Sequence, residues 1–382
     1  MTDKLYNLDS YIKSFEATIV ECRMEGDKYA IRLDRTAFFP EGGGQSSDKG
    51  YIGNAFIFDV REIDGEIYHY SKNAEEVNKS VQCSINFDER FEKMQCHSAE
   101  HIASGFFHSL YGIENVGFHL GDVEVTFDTS GVVDDDMLLR VEELSNRAVF
   151  DNLKIDVLYP KSHELSSLEY RAKLDITDNV RIVNIGDVDS CACCAPHVAY
   201  TGEIGFIKFI ECKKHRGGSR ITMLAGARAY RYMSMVFSAA KSAAELLSSP
   251  ISDLYEETKR SLSAKADADY RLLIANRKLA ASIADSVEAT EGNAVIYCPL
   301  DDMEGVRTLV NSASHKVGGA LVALFGEEGN YKYVLNYSGD DFSVVVKNAN
   351  AALSGKGGGR APMAQGSYAA SLECVKTYFG CK

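Results

Sequence analysis

The residues of this chain best suited to chemistry are two pairs of nitrogen and sulfur donors. His97-Ser-Ala-Glu-His101 lies in a stretch where Phe91, Met94, Ile102, Phe106 and Leu110 recur at helical spacing. Residues four apart on a helix share a face, so both imidazoles could address one metal ion. Ninety-two residues after His101 comes Cys193-Cys-Ala-Pro-His197, a second pair four apart. An extended strand would hold those two side chains about 13 Å apart, and Pro196 disfavours a regular helix. A looped turn therefore has to bring them together. Two such pairs make a tetrahedral set, for which zinc is the fitting ion. Cys191 and Cys194 compete with Cys193 for the thiolate position; the spacing to His197 favours Cys193. Two other readings use the same residues. In one they are polar helix positions and inert buried thiols. In the other, the order His-x-x-Glu-His makes Glu100 the general base of a zinc metalloprotease, which leaves Cys193 and His197 without a role and needs a further Glu ligand downstream.

Two glycine runs could bring backbone close to a ligand. Gly42-Gly43-Gly44, within Thr36-Ala-Phe-Phe-Pro-Glu-Gly-Gly-Gly-Gln45, permits positive φ next to an apolar stretch. It lacks the Lys-Ser/Thr ending of a P-loop. Gly355-Lys-Gly-Gly-Gly-Arg360 carries two cations, Lys356 and Arg360, and reads either as a phosphate-cradling loop or as a flexible one.

The elements that must position these residues follow from periodicity. Residues 1–88 read as strands over 16–22, 29–33, 56–60, 66–70 and 80–86, several alternating with period two, which predicts a small β-barrel. Residues 89–232 read as an α/β zinc-binding core with helices over 88–110 and 136–152 and a final strand over 204–211. Residues 233–288 are helix formers broken once by Pro250, a helical linker with an irregular apolar stripe. Residues 289–382 alternate strand and helix as a C-terminal α/β domain. The fold class is α+β multidomain.

Composition narrows the class further. The chain has 382 residues and a formal charge of -14, and no apolar run reaches the ~18 residues of a membrane span. The start lacks the apolar core of a signal peptide, and the ten cysteines do not resemble a secreted disulfide framework. The expectation is a cytoplasmic protein with reduced thiols and no membrane partner. The net acidity argues against nucleic acid, yet the charge is segregated. Residues 205–231 carry seven basic residues against Glu211 alone, and the last 41 carry five against Glu373. An RNA-binding face through Lys213, Lys214, Arg216 and Arg220 is therefore open, as is ordinary solvated surface.

Taken together, Thr36 to Gln45 followed by Asp48-Lys-Gly50, the two donor pairs, Val198-Ala-Tyr-Thr-Gly-Glu-Ile-Gly205 and the late Gly-Lys-Gly-Gly-Gly-Arg segment resemble the long form of the alanyl-tRNA editing proteins, AlaX. These are freestanding relatives of the editing domain of alanyl-tRNA synthetase, and the late glycine segment is similar to that of the C-terminal domain shared with DHHA1 phosphoesterases. The resemblance implies a hydrolase that removes serine, and in many members glycine, from tRNA for alanine. A synthetic site sized for alanine rejects neither strongly, so a second hydrolytic site must. It implies zinc held by His97, His101, Cys193 and His197, and a Thr36 hydroxyl in the amino-acid pocket favouring serine over alanine. It also implies backbone contact from Gly42, Gly43 and Gly44 to the terminal adenosine. Gln45 and Glu100 complete the candidate catalytic and specificity set. Lys213, Lys214, Arg216, Arg220, Lys356 and Arg360 are candidates for the tRNA body, and the C-terminal half could instead, or also, make a homodimer. One departure is clear: the commoner Cys-Gly-Gly-Thr-His is here Cys-Cys-Ala-Pro-His, which keeps the donor spacing and loses two glycines and a hydroxyl. The remaining alternative to hydrolysis is a non-catalytic RNA-binding protein with structural zinc.

Overall fold

Strict alternation builds the first layer. In strand β1 (Ser14–Glu25) the side chains of Phe15, Ala17 and Ile19 are buried between exposed or half-exposed neighbours, and Val81, Cys83 and Ile85 repeat the pattern in Ser80–Ile85. Such a strand has one face to hide. In the computed structural model of the chain, which describes residues 2–122, 125–165, 168–172 and 180–381, six strands hide that face by closing on themselves. The others are β2 (Lys28–Leu33), β3 (Gly50–Ile52), β4 (Ala55–Ile63), β5 (Glu66–Ser71) and β6 (Ser80–Ile85). The barrel runs β1-β2-β5-β4-β3-β6 and returns to β1, so neither terminal strand is left as a free edge. Its core holds Ile19, Ile31, Leu33, Phe38, Ile52, Ile57, Val60 and Ile67.

The site is carried by helix α1 (Phe87–Tyr111), with Asp88 and Glu89 at its positive end and left-handed Gly112 (φ 63°) closing it. Nearly every residue from Lys93 to Gly105 is buried, polar ones included. Helix α1 packs against strands of two antiparallel sheets and against α2 (Asp135–Phe150). One sheet contains β7 (Asn115–Leu120), β8 (Val125–Thr129), β12 (Ile207–His215) and β13 (Gly218–Ala225) in the order β12-β13-β8-β7. The other is β9 (Ile155–Leu158), β10 (Ile182–Ile185) and β11 (Asp189–Ala192) in sequence order. The strand expected over 204–211 starts later, at Ile207. Thr201–Ile204 instead form a short 3-10 turn, with the Tyr200 N–H donating to the Glu203 carboxylate at 3.0 Å and Gly205 (φ 81°) ending it.

The chain forms two compact units, Met1–Ala240 and Lys241–Lys382, and helix α3 (Gly226–Leu246) spans the boundary in sequence. The second unit contains α4 (Leu254–Ser286), preceded by the break expected at Pro250. Its sheet is β14 (Ala294–Tyr297), β15 (Leu321–Glu327), β16 (Asn330–Asn336), β18 (Met363–Tyr368) and β17 (Lys356–Arg360), in that spatial order. Helix α5 (Met303–Ala313) packs on one face with the end of α4, and α6 (Phe342–Ala352) and α7 (Leu372–Tyr378) contribute to the other. Successive residues of β15 divide between two cores: Leu321, Ala323 and Phe325 enter one, Val322 and Leu324 the other. That is why its sequence is an unbroken apolar run rather than an alternation. The glycine segment expected as a loop at 355–360 is instead an exposed edge strand, because its backbone pairs with β18 from Lys356 to Arg360. Among the described residues no helix is long and apolar enough to cross a membrane.

Candidate metal centre

Three histidines and one cysteine converge as the spacing predicts. The ligand atoms of His97, His101, Cys193 and His197 all lie within 4.8 Å of one another. The Cys193 Sγ is 3.6 Å from His97 Nε2 and 3.3 Å from His197 Nε2. Cys193 is thus the thiol of the set. Cys194 is exposed and outside it, and Cys191 groups instead with His101 and Asp189.

The other nitrogen of each imidazole is already engaged. His97 Nδ1 meets Gln45 Oε1 at 2.9 Å, His101 Nδ1 meets Asp189 Oδ2 at 2.9 Å, and His197 Nδ1 meets Ser98 Oγ at 3.0 Å. An amide oxygen and a carboxylate only accept, so Nδ1 of His97 and His101 carries the proton and Nε2 presents its lone pair inward. Burial opposes a charge on Cys193, yet the adjacent His97 and His197 hold its thiol well below the ordinary range. Burial likewise disfavours a charged His101, but hydrogen bonds and charge from Asp189 and Cys193 together outweigh it and lift His101 well above the usual imidazole value, so a metal ion taking its Nε2 would displace a proton. Burial drives His197 down to about 3. A thiolate facing inward imidazole nitrogens is a donor set that fits a soft or borderline divalent ion such as zinc.

Each partner is placed by a local feature. Gly105, one turn beyond His101, has no side chain to collide with the Val188 carbonyl, and a Cβ there would come within 2.9 Å of that of Asp189. This close approach puts Asp189 against His101. Gly42 and Gln45 close a tight turn through mutual backbone bonds of 3.1 and 3.0 Å, with Gly43 (φ 59°) and Gly44 (φ 81°) both left-handed at its centre. A side chain on Gly44 would run into the Phe118 carbonyl of β7. The turn hands Gln45 to His97. Helix α1 grips the same loop further along. Arg90 pairs with buried Asp48 and donates to the Ala37 carbonyl at 2.7 Å, while Lys93 donates to the Ser47 carbonyl at 2.7 Å.

A cavity of about 440 Å³ opens on the donor set, walled by Gly43, Gly44, Glu100, Phe118, Arg171 and Arg181 among others. Gly42 is not on that wall. Glu100 is, and its carboxylate accepts from Ser104 Oγ and Asn115 Nδ2. Thr36 is also absent from the wall: fully buried, its Oγ1 lies 2.9 Å from His69 Nε2 and accepts from the Phe38 N–H at 3.1 Å. His69 Nδ1 faces the Ile31 carbonyl at 3.0 Å, so that nitrogen is protonated, and burial keeps the ring neutral with a pKa near 4. The Thr36 hydroxyl must then donate to His69. Only a lone pair is left for anything else.

The charge segregation read along 205–231 is largely neutralised in space. Lys208 pairs with Glu142, Lys213 with Glu211, Arg220 with Asp128, and Arg228 and Arg231 share Glu92. Acidic residues remote in sequence answer the basic run. Of the four candidates there, Lys214 and Arg216, at the tip of the β12–β13 hairpin, make no ion pair among the described residues. Lys356 and Arg360 are exposed on β17, again without ion pairs among the described residues. Sequence reading missed Asp189, Ser98, Arg171, Arg181 and His69. Only Asp189 carried a signal, an acid close ahead of the second donor pair.

Residues 180–222, which include Cys193 and His197, match the model of the threonyl and alanyl tRNA synthetase second additional domain. Along its length the chain is 29% identical to the alanyl-tRNA editing protein AlaX-L of Pyrococcus horikoshii, covering 98% of this chain and 96% of that protein. The chain is thus similar over nearly its whole length to a long-form alanyl-tRNA editing protein. The Mus musculus alanyl-tRNA editing protein Aarsd1 is 25% identical over 94% of this chain and 92% of its own. Against the alanine--tRNA ligase of Methanoregula boonei the identity is 28% over 96% of this chain but only 41% of the ligase. A freestanding editing protein thus accounts for the whole chain, and the ligase contains a segment like it.

Proposed function

We propose that the protein hydrolyses the ester of tRNA(Ala) mischarged with serine, and of the glycyl ester, in the cytoplasm. The observation that carries this reading is the four-donor set opening into a cavity of about 440 Å³, in a chain collinear with AlaX-L. That volume is in the small-molecule range and suits an aminoacylated terminal nucleoside rather than a folded RNA. Zinc, held by His97, His101, Cys193 and His197, would supply Lewis acidity to the ester or orient it. Gln45, Asp189 and Ser98 keep the three imidazoles turned inward. Gly43 and Gly44 present bare backbone to the adenosine side of the cavity. Glu100 offers a carboxylate on its wall. Thr36 is fully buried off the cavity wall and spends its proton on His69, so in this geometry it makes no direct contact with a substrate hydroxyl. Ala195 and Pro196 take the places of the commoner glycine and threonine without loss of the donor geometry: the Ala195 N–H still points at Cys193 Sγ, at 3.4 Å.

For the tRNA body, Lys214 and Arg216 on one unit and Lys356 and Arg360 on the other are the exposed cations, joined more weakly by the paired Lys213 and Arg220. The working division is a barrel over 1–88, an editing core over 89–232, a helical linker over 233–288 and a C-terminal domain over 289–382. Exposed Tyr255, Leu262 and Tyr270 along α4 suit a homodimer through the C-terminal half. All ten cysteines are free, as in a reducing compartment.

The test is incubation with Ser-, Gly- and Ala-charged tRNA(Ala) and with an unstructured peptide, with and without chelator. Loss of only the seryl and glycyl esters, abolished by His97→Ala, is expected. Peptide cleavage, or inertness towards every ester, would overturn the reading.

A further inference from the structure

Arg181, on the wall of the metal cavity, is a buried cation that makes no ion pair among the described residues. Its Nη1 donates to the Cys193 carbonyl at 2.7 Å and to the Ala195 carbonyl at 2.9 Å, while its own carbonyl accepts from the Cys193 N–H at 3.0 Å. The Nε is buried and has no hydrogen-bond partner. Among the described residues two carboxylates stand near, Glu100 on the wall and Asp189 behind His101, and both are committed. Asp189 holds His101 and Arg171, and Glu100 holds Ser104 and Asn115. Among the described residues no carboxylate pairs with Arg181. Leaving a guanidinium out of water and unpaired is costly. The two carbonyls fix the fork in place, so its remaining donors are pre-set for an acceptor entering the cavity. Arg171 shares the wall, but its charge is met by Asp189 at 2.8 Å.

We infer that Arg181 binds the phosphodiester on the 5′ side of the terminal nucleoside. This rests on the cavity receiving an aminoacylated ribose, as argued above. The ester itself carries no anion, and the nearest permanent negative charge on such a substrate is that phosphate, one ribose away. A planar guanidinium matches a phosphate through parallel N–H donors. Because the same side chain holds the carbonyls of Cys193 and Ala195, it registers the RNA backbone against the loop that supplies two metal donors. Arg181 is thereby a substrate-binding residue that reads the nucleotide and not the amino acid.

The experiment measures calorimetric affinity for two hydrolysis-resistant amides, 3′-serylamino-3′-deoxyadenosine with and without a 5′-phosphate, with metal content measured on each protein. The native protein is expected to bind the phosphorylated form about tenfold more tightly or better. Arg181→Met should bring that ratio close to one and leave affinity for the form without phosphate within about twofold, with Arg181→Lys keeping part of the preference. Three outcomes overturn the assignment. They are equal binding of both amides by the native protein, a phosphate preference that survives Arg181→Met, and equal loss for both amides in Arg181→Met, which marks a loop tie only. Failure of the native protein to bind either amide would instead remove the editing reading itself and the phosphate site with it.

Discussion

The chain contains two Gly-Gly-Gly runs, and they meet opposite fates. Gly42–Gly44 bends: Gly43 and Gly44 take left-handed φ, and the turn lies against β7 with Gln45 delivered to His97. Gly357–Gly359 stays extended as an exposed edge strand whose backbone pairs with β18. In the first run the absent side chain makes room for the Phe118 carbonyl. In the second, Gly357 and Gly359 make room for the Gln365 and Met363 carbonyls of the adjoining strand, while Gly358 faces open space. A glycine triplet therefore encodes permission for close approach and leaves conformation to whatever approaches. The surroundings differ as much. Around the first run the polar groups are buried, with Gln45 Oε1 on His97 and with Gln45 Nε2 and Ser46 Oγ lacking hydrogen-bond partners among the described residues; around the second, Lys356 and Arg360 stand in solvent.

The largest effect should come from the centre that the first run supports. His97→Ala, or chelation, is expected to lower kcat/KM for seryl-tRNA(Ala) by ~1,000-fold or more, since metal polarisation is worth several kcal/mol. Retention of activity in the chelated protein would detach that region from the chemistry. One step outward, Gln45→Ala removes the acceptor that orients His97 and should weaken metal affinity by about 10- to 100-fold in a competition titration. The triplets themselves can then be compared directly. Gly44→Ala forces a left-handed alanine into a carbonyl and should cost at least ~2 kcal/mol in denaturant unfolding. Gly358→Ala, in open space, should change stability by less than ~0.5 kcal/mol. Equal costs would erase the distinction drawn between the two runs.

Acidity separates the two regions as well. His69 is neutral when folded, with a pKa near 4, and takes up a proton on unfolding at any pH below about 6.5. Its contribution is complete above that value and drains away as pH falls towards 4. Between pH 7 and pH 5 this amounts to ~2 kcal/mol, which His69→Gln should remove from the unfolding of the first unit. The second unit has His315 as its one histidine, and that is exposed. The smallest effect is expected at the edge strand. Joint replacement of Lys356 and Arg360 by Ala should leave single-turnover hydrolysis unchanged and reduce the slope of log affinity for tRNA against log salt by about 1 to 2.

Much of the fold was legible because it is local. Alternation located all five strands expected in the first 88 residues, the apolar spacing from Phe91 to Leu110 located α1, and Pro250 marked the break before α4. The convergence of His97, His101, Cys193 and His197 was legible because i, i+4 spacing on a helix and a proline-turned loop leave few other geometries. Thr36 was placed by resemblance, but its burial and its bond to His69 depend on a barrel strand thirty residues away. The basic run over 205–231 looked free because its partners, Asp128, Glu142 and Glu92, are remote in sequence.

By itself the sequence determined the donor types, their pairing four apart, the period of each element and the places where backbone is allowed to bend or approach. Those properties depend on neighbours within a few residues, where covalent geometry dominates. Tertiary structure decided which nitrogen of each histidine faces inward, which cations stay unpaired, and that one glycine triplet turns while the other extends. It did so because hydrogen bonds and ion pairs are fixed by distance in space, and the groups that make them here lie tens of residues apart along the chain.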